Sequence, residues 1–369
     1  MILRYAVAAA TAFALAATAT PAAAAPLDAA AAIMAEGFEE GVAAGYPGVI
    51  GLVRTGDDVR YVRAGVGDLA TGVPADPAAR FRIGSVTKAF VVTVLLQLAG
   101  EGRLSLDDSV ERWLPGVVRG NGIAGELISI RQLLNHSSGL PEFLDDQWVS
   151  AQYVADLDPY RMWSPRTLVD IAMARPPYAA PGSGFHYANT NYVVAGMVIE
   201  AVTGGDPVAE IQRRIIEPLG LRHTAFATDP VPQGNWLRGY FLTRDVSISD
   251  PTAHGMAAGM VSTLDDLADF ARAQQAGLLA AGQLAELRAT VETGRPDTDY
   301  GLGIARLRTD CGPMWAHIGS VLGYFTLVAT DASGQRQIVI AGNEYHMIAA
   351  SGPQVLLRTA QRAFCEFIR

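Results

Sequence analysis

Residues 81–100 read FRIGSVTKAFVVTVLLQLAG and place Ser85 three positions before Lys88, at the start of a long apolar run. After Gly84 the residues favour a helix, because apolar side chains recur at a spacing that shares one helical face. Residues i and i+3 of a helix are neighbours on that face. The hydroxyl of Ser85 and the amine of Lys88 are therefore predicted to lie side by side, at a helix N-terminus whose dipole favours negative charge.

Lys88 is unusual in this chain because it is the only lysine among 28 basic residues, the other 27 being arginine. A serine hydroxyl is a poor nucleophile without a neighbouring base, and a lysine can be that base only when its pKa is lowered. Arginine does not deprotonate in proteins, whereas a buried lysine does. The alternative is a chance Ser-Lys pair with a surface lysine, and the lysine count argues against it.

The composition is that of a globular protein, with 50% hydrophobic and 18% charged residues in 369. The net charge is -9 and basic residues form no cluster, which argues against nucleic acid as a partner. The length allows one large domain or two interleaved ones.

Residues 1–25 have the pattern of a secretory signal. Arg4 supplies the charge, residues 7–17 the apolar core and the alanines at 23–25 a cleavage site. A transmembrane anchor is the alternative, but the run is short and rich in alanine. We therefore expect a secreted protein, extracellular or associated with the cell wall, without a stable membrane anchor. In such a protein the two cysteines, Cys311 and Cys365, are expected to pair; two unpaired buried thiols are the alternative.

The order of the predicted elements indicates an α+β fold with one antiparallel sheet built from both chain ends. A helix is predicted over 27–44, with strands over 49–54 and 59–64 and a loop over 68–77. Strands return over 300–308, 314–319, 324–329 and 337–341, and a final helix covers 353–368. Helices dominate between. We expect one domain, 26–369, in which 26–80 and 300–369 form the α/β part and 81–299 a mainly helical part.

Two further segments carry side chains suited to catalysis or binding. Tyr187 and Asn189 lie in a Gly- and Pro-rich loop before a predicted helix, where a tyrosine hydroxyl can relay a proton and an amide can hold a carbonyl. His317, Gly319 and Ser320 lie near the end of a predicted strand, whose edge would be open to a peptide. Taken singly, a turn asparagine with a packed tyrosine and a structural histidine are the simpler interpretations.

The segment Asn135 to Leu140, NHSSGL, is predicted to be a helix end and turn that shapes the pocket. A direct catalytic role for His136 is the less favoured interpretation.

In combination these segments resemble the penicillin-recognising serine hydrolases, serine peptidase family S12. The resemblance is closest to secreted D-alanyl-D-alanine carboxypeptidases of actinobacteria and extends to class C β-lactamases. Residues 85–88 match Ser-x-x-Lys, residues 187–189 match Tyr-x-Asn, and residues 317–319 stand where the family has Lys-Thr-Gly or His-Thr-Gly. The resemblance implies the β-lactamase and penicillin-binding-protein transpeptidase fold.

The resemblance also implies roles for the site residues. Ser85 would attack an acyl carbonyl, with Lys88 or Tyr187 as the base, and Tyr187 would protonate the leaving amine. Asn189 would hold the substrate amide, while His317, Gly319 and Ser320 would line the substrate site. The oxyanion hole would be formed by the backbone N–H groups of Ser85 and Ser320. No cofactor is implied, and we expect a monomer acting on a small peptide, β-lactam or ester.

The third motif departs from the family at Ile318, where threonine is usual. The threonine hydroxyl helps to grip a substrate carboxylate, and isoleucine has no donor. Ser320 could substitute for it, and Arg306 or Arg308 could supply a positive charge. Otherwise the enzyme would prefer uncharged acyl groups, as esterases of the family do.

The leading hypothesis is a D-alanyl-D-alanine carboxypeptidase acting on peptidoglycan peptides. The alternatives within the class are an esterase, a D-amino-acid peptidase or amidase and a class C-like β-lactamase; a non-catalytic penicillin- or peptidoglycan-binding protein is the alternative outside it. An α/β-hydrolase is disfavoured because no serine lies in a Gly-x-Ser-x-Gly motif. A metal site is not expected, since no His-Glu-x-x-His pair occurs.

Overall fold

The computed structural model describes residues 26–155, 158–344 and 351–367, so the predicted signal segment lies outside the described residues. The α-helices in this part of the chain are α1 (Pro26–Ala43), α2 (Thr87–Gly100), α3 (Val110–Trp113), α4 (Ile130–Leu134), α5 (Gln147–Ala155), α6 (Pro165–Met173), α7 (Thr190–Thr203), α8 (Pro207–Ile211), α9 (Glu217–Leu219), α10 (Leu264–Ala276), α11 (Ala281–Leu287) and α12 (Ser351–Glu366). None of the described helices is both long and apolar enough to cross a membrane.

The strands are β1 (Gly48–Thr55), β2 (Asp58–Gly65), β3 (Phe81–Arg82), β4 (Arg119–Gly120), β5 (Ile123–Ala124), β6 (Ala225–Phe226), β7 (Tyr240–Phe241), β8 (Arg244–Asp245), β9 (Met260–Ser262), β10 (Val291–Arg295), β11 (Thr298–Tyr300), β12 (Ala305–Thr309), β13 (Gly312–Val321), β14 (Tyr324–Thr330) and β15 (Arg336–Gly342). Eight of them form one antiparallel sheet in the order β10-β11-β12-β13-β14-β15-β1-β2. Because β1 pairs with β15, the two ends of the chain build a common sheet, which confirms the predicted α+β architecture.

The prediction of a single strand over 300–308 was wrong. The chain leaves the sheet after Tyr300 and returns at Ala305. Between them, Leu302 N–H donates to Leu287 O and Gly303 N–H to Leu134 O. These backbone donors bond to the ends of helices instead of to a neighbouring strand. The sheet also begins earlier than expected, because β10 and β11 start within the segment predicted to be mainly helical.

Two apolar cores lie on opposite faces of the sheet. On one face α1 and α12 pack against the sheet through a cluster that includes Phe38, Leu327 and Phe364. On the other face the helical part packs around α2. Every residue of α2 from Thr87 to Leu96 is buried, so this helix is enclosed on all sides and is not the one-sided amphipathic helix that the sequence indicated. The serine segment is thus the central element of the fold.

Capping residues explain where several helices begin. Ser129 closes a capping box at the start of α4, and Ser164 caps α6 with proline at its first position. Thr263 caps α10. Cys311 and Cys365 form a disulfide with a Cα–Cα distance of 5.3 Å. The predicted pairing is therefore confirmed, and the bond joins the C-terminal helix to the turn between β12 and β13.

Candidate active site

Ser85 lies in a single 3-10 turn, Gly84–Val86, that leads directly into α2. Ser85 is 8% exposed and Lys88 is fully buried. Lys88 Nζ donates to Ser85 Oγ at 2.9 Å, to Asn189 Oδ1 at 2.7 Å and to Ala257 O at 3.0 Å. The predicted adjacency of hydroxyl and amine is therefore present, and three oxygen acceptors fix the amine in place.

The burial of Lys88 changes its acid–base chemistry. Removal of the amine from water disfavours the charged form and lowers the pKa of Lys88 from 10.5 to about 7, although the negative charge of Glu142 acts in the opposite direction. A substantial fraction of the amine is then neutral at physiological pH. A neutral amine 2.9 Å from Ser85 Oγ can accept the serine proton.

Tyr187 lies in the loop before α7 and brings its ring to Lys88, with Nζ 4.9 Å from the ring centroid. Its hydroxyl is hydrogen-bonded to Ser85, yet burial of that hydroxyl raises its pKa above the ordinary value. The residue as a whole is 40% exposed. Tyr187 is thus protonated at neutral pH and can donate a proton to a group above Ser85.

Asn189 connects Lys88 to a second loop. Its Oδ1 accepts from Lys88 Nζ, while its backbone N–H donates to Glu142 Oε2. One residue further, Thr190 Oγ1 donates to Pro141 O at 2.7 Å and accepts from Phe143 N–H at 3.2 Å. Several hydrogen bonds therefore hold the loop after α4 against the start of α7. These bonds fix the position of the Asn189 side chain.

His136 packs against Tyr187. This agrees with the prediction that the segment containing His136 shapes the pocket. It follows α4 in a left-handed conformation, with φ of 59°. Its ring packs on that of Tyr187 with centroids 4.1 Å apart, and Nδ1 accepts from Ala188 N–H at 3.3 Å. Burial holds the pKa of His136 well below its usual range, so the ring is neutral.

The opposite wall of the site is the end of β13. Strand β12 pairs with β13 only as far as Ala316, so beyond it this edge of β13 faces the Ser85 turn. A Cβ on Gly319 would lie 2.0 Å from Ile83 O, and a Cβ on Gly84 would lie 2.9 Å from Ser320 N. Glycine at both positions lets the end of β13 lie directly against the backbone of the serine turn.

His317 and Ile318 point to opposite sides of this strand. His317 is 6% exposed and its Nε2 lies 3.3 Å from the hydroxyl of Tyr300. Burial, with a smaller effect from Lys88, lowers its pKa to about 3, so it is a neutral hydrogen-bonding group. Ile318 is 37% exposed and presents an apolar surface where the resemblance leads one to expect a hydroxyl.

Arg306 is occupied by an ion pair. Both it and Arg308 bond to Asp299, with Nη2–Oδ2 distances of 2.5 and 2.8 Å respectively. Asp299 is only 4% exposed, and the two guanidinium groups lower its pKa. Arg306 was a candidate for binding a substrate carboxylate, but its guanidinium is already held by Asp299.

Sequence reasoning missed two groups that face Lys88. Glu142 follows Pro141 in the loop after α4, and His254 precedes a 3-10 turn that supplies Ala257 O. Burial lowers the pKa of His254 to about 3, with a further contribution from Lys88. Neither residue belongs to a recognisable motif, so no local signal identified them. Among the residues that the structure describes, no group of three or more His, Cys, Asp or Glu side chains is arranged to hold a metal ion.

Comparison with known proteins adds to this geometry. A family model described as Beta-lactamase matches residues 30–360. A D-stereospecific amidohydrolase from Streptomyces sp. superposes with a TM-score of 0.83 at 37% identity, over 89% of this chain and 98% of that one. A D-amino acid amidase from Ochrobactrum anthropi SV3 shares the fold, with a TM-score of 0.81 at 24% identity, over 93% of this chain and 99% of that one.

Among curated proteins, Penicillin-binding protein 4* of Bacillus subtilis (strain 168) is 30% identical over 176 residues, which are 47% of this chain and 36% of that protein. Protein flp of Staphylococcus aureus (strain MW2) is 27% identical over 214 residues, 57% of this chain and 41% of that protein. The chain thus spans well under half the length of these two relatives.

Proposed function

The chain belongs to the Beta-lactamase family of serine hydrolases, and on that premise we propose that it is a D-stereospecific amidohydrolase. It would cleave amides and esters of D-amino acids through an acyl-enzyme on Ser85. The observation that carries the chemistry is the 2.9 Å contact between Ser85 Oγ and the buried amine of Lys88. The preference for D-configured substrates is supported by the 37% identity to the Streptomyces amidohydrolase.

In the acylation step Ser85 Oγ bonds to the substrate carbonyl carbon as its proton passes to Lys88 Nζ. Lys88 suits the role of base better than Tyr187, because burial lowers the pKa of the lysine to about 7 and raises that of the tyrosine. The C–N bond then breaks as the leaving nitrogen takes a proton from the Tyr187 hydroxyl, which Lys88 reprotonates. In deacylation, water attacks the acyl carbonyl carbon and gives a proton to Lys88. The ester bond to Ser85 then breaks, and Ser85 Oγ takes up a proton again.

The negative charge that develops on the carbonyl oxygen would be held by the N–H groups of Ser85 and Ser320. Support comes from the close approach of β13 to the serine turn at Gly319 and Gly84. One such donor typically contributes about 3 kcal/mol to transition-state stabilisation. Asn189, fixed by Lys88 and Glu142, would orient the substrate amide.

The electrostatics of the site favour a substrate that carries no charged group on the C-terminal side of the scissile bond. Ile318 offers no hydroxyl to a carboxylate, and Arg306 and Arg308 are both engaged by Asp299. A buried or partly buried carboxylate without a partner is costly. Amide and ester substrates avoid that cost, whereas a peptide ending in a free carboxylate does not.

A D-alanyl-D-alanine carboxypeptidase is the second candidate. It is favoured by the His-x-Gly form of the third motif, His317 to Gly319, and by the similarity to Penicillin-binding protein 4*. This function requires a carboxylate-binding group, for which Ser320 is the exposed hydroxyl next to the motif.

The test is a substrate panel: D- and L-phenylalanine amides, a p-nitrophenyl ester, a peptide ending in D-Ala-D-Ala, and nitrocefin, with Ser85→Ala as control. The proposal predicts that the D-amide exceeds the L-amide in kcat/KM by at least roughly tenfold, about 1.4 kcal/mol, and that the D-amide exceeds the D-Ala-D-Ala peptide. Release of D-alanine faster than ammonia would instead establish the carboxypeptidase.

A single variant tests whether Ile318 disfavours substrates that end in a carboxylate. Ile318→Thr adds the missing hydroxyl, and a hydrogen bond to a charged group contributes about 1.5–3 kcal/mol. The variant should therefore gain roughly ten- to hundredfold in kcat/KM on the carboxylate-terminated peptide relative to the amide. An unchanged ratio would remove Ile318 from the account of specificity.

We also propose that the protein is exported with residues 1–25 removed and that it acts as a monomer. The leader pattern and the disulfide between Cys311 and Cys365 support export. N-terminal sequencing of protein collected from culture medium should begin at Pro26, and light scattering should give the mass of one chain. An uncleaved N-terminus in the cell fraction would contradict the first part, and a larger mass the second.

A further inference from the structure

Glu142 stands out because it is a partly buried carboxylate directed towards the catalytic residues. It lies in the loop between α4 and α5. Its Oε1 accepts from Leu144 N–H at 3.2 Å and its Oε2 from the N–H of Asn189. Burial raises the pKa of Glu142, whereas the N–H groups of Asn189 and Leu144 and the charge of Lys88 favour its ionised form. An ionised carboxylate only accepts hydrogen bonds, and both oxygens meet donors here, so the contacts fit the charged form.

The Glu142 carboxylate is connected to the Lys88 amine by the hydrogen bonds of a single residue, Asn189. The Asn189 side-chain Oδ1 accepts a hydrogen bond from Lys88 Nζ, and the Asn189 backbone N–H donates one to Glu142 Oε2. The position of the Asn189 side chain, and with it one of the three acceptors around Nζ, therefore depends on Glu142. Leu144 N–H, on the other oxygen, holds the carboxylate from the opposite side.

Within the part of the chain that the structure describes, the other titratable groups that face Lys88 are neutral. His136 comes from the loop after α4, Tyr187 and Tyr192 from the loop before α7 and from α7 itself, His254 from the segment before β9, and His317 from β13. Burial lowers the pKa of each histidine and raises that of each tyrosine. Glu142 is thus the negative charge that acts on Lys88 from these surrounding elements.

We propose that Glu142 is a positioning residue for the catalytic lysine, which anchors Asn189 against Nζ and keeps one negative charge facing an amine otherwise surrounded by neutral groups. The proposal rests on the role of Lys88 in the proposed function and not on the identity of the substrate. Burial alone would lower the pKa of Lys88 further than is observed, because the charge of Glu142 opposes the effect of burial. The carboxylate restores part of its basicity, since a nearby opposite charge favours the protonated form.

The experiment uses the single lysine of the chain as a reporter. Full-length protein labelled with ¹³C,¹⁵N-lysine gives one side-chain signal, that of Lys88, whose shift against pH yields its titration midpoint without any substrate. Glu142→Gln removes the charge and keeps an acceptor for Asn189. The matched control is Glu39→Gln, the same change at an exposed position of α1.

In Glu142→Gln the midpoint should fall by about 1 unit, the size of effect of a neighbouring opposite charge. The acidic limb of kcat/KM against pH should move down by the same amount, and kcat on its plateau should fall because the base is weaker. Glu39→Gln should match the wild type in both. A midpoint equal to that of the wild type overturns the proposal, whatever happens to the activity.

If Glu142→Gln does not fold, Glu142→Asp takes its place, since it keeps the charge and shortens the reach to Asn189. A midpoint near that of the wild type with a reduced kcat/KM agrees with the proposal. Unchanged kcat/KM contradicts it. Because the lysine signal requires no substrate, failure of the substrate panel and failure of this proposal are separate results.

Discussion

Replacement of Lys88 by methionine should reveal a dependence of protein stability on pH with a defined direction. The folded pKa is about 7 against 10.5 in the unfolded chain, so the folded site favours the neutral amine over the charged one by about 5 kcal/mol more than the unfolded chain does. Between these values the unfolded state binds more protons than the folded state. Wild-type stability therefore rises with pH in this window and is lowest, as far as this group is concerned, below pH 7.

The methionine side chain does not titrate, so the difference in unfolding free energy between the Lys88→Met variant and the wild type isolates the lysine. From pH 7 to pH 9.5 that difference should change by about 3 kcal/mol in favour of the wild type. The loss of the amine's bonds to Asn189 Oδ1 and Ala257 O adds an offset that does not depend on pH. Urea unfolding followed by tryptophan fluorescence measures the difference at each pH.

The control is Arg358→Met, which removes a cation from an exposed position of α12. Its difference from the wild type should stay flat across the same pH range. A flat difference for Lys88→Met as well would mean that the amine is solvated in the folded protein, and would refute its assignment as a neutral base.

The site and the disulfide lead to three further predictions. Gly319→Ala should lower kcat about 10²- to 10³-fold, because its Cβ would push β13, which carries the proposed donor Ser320 N–H, away from the Ser85 turn. Gly282→Ala, whose added Cβ meets no atom within 4 Å, should leave kcat unchanged; equal effects would contradict the role of the close approach. Tyr187→Phe should lower kcat about 10²- to 10⁴-fold with little change in KM; if KM alone rises, the hydroxyl binds substrate and does not transfer a proton. Replacing Cys311 and Cys365 together by serine should cost roughly 4 kcal/mol of unfolding free energy in urea, without loss of kcat in the folded fraction; an unchanged midpoint would contradict it.

The sequence predicted best those features that depend on neighbours along the chain. Ser85 and Lys88 meet because i and i+3 share a helical face, and Ser129 caps α4 for an equally local reason. The rarity of lysine added information that a motif alone lacks. Tyr187 and His317 could be connected to Ser85 only through the family resemblance, since their proximity is a product of the tertiary fold.

The features that escaped prediction depend on contacts distant in sequence. The strand pattern over 300–308 continues through Gly301–Gly303, but Leu302 and Gly303 donate to the ends of α11 and α4 and the strand is interrupted there. In the sequence Glu142 cannot be distinguished from an ordinary loop carboxylate. Its contact with Asn189, at the start of α7, exists only in the folded chain. The occupation of Arg306 by Asp299 likewise appears only when β11 and β12 are paired.

The most direct test of the central claim is to find the acyl group on Ser85 by mass spectrometry. The enzyme is mixed with an activated ester of D-phenylalanine, quenched with acid during turnover and digested with trypsin. Cleavage after Arg82 and Lys88 gives the peptide IGSVTK, which contains the nucleophile. We predict that this peptide gains the mass of the D-phenylalanyl group, and that Ser85→Ala protein shows no gain. Continued hydrolysis of the ester by the wild type with an unmodified peptide, or with the label elsewhere, would contradict the account.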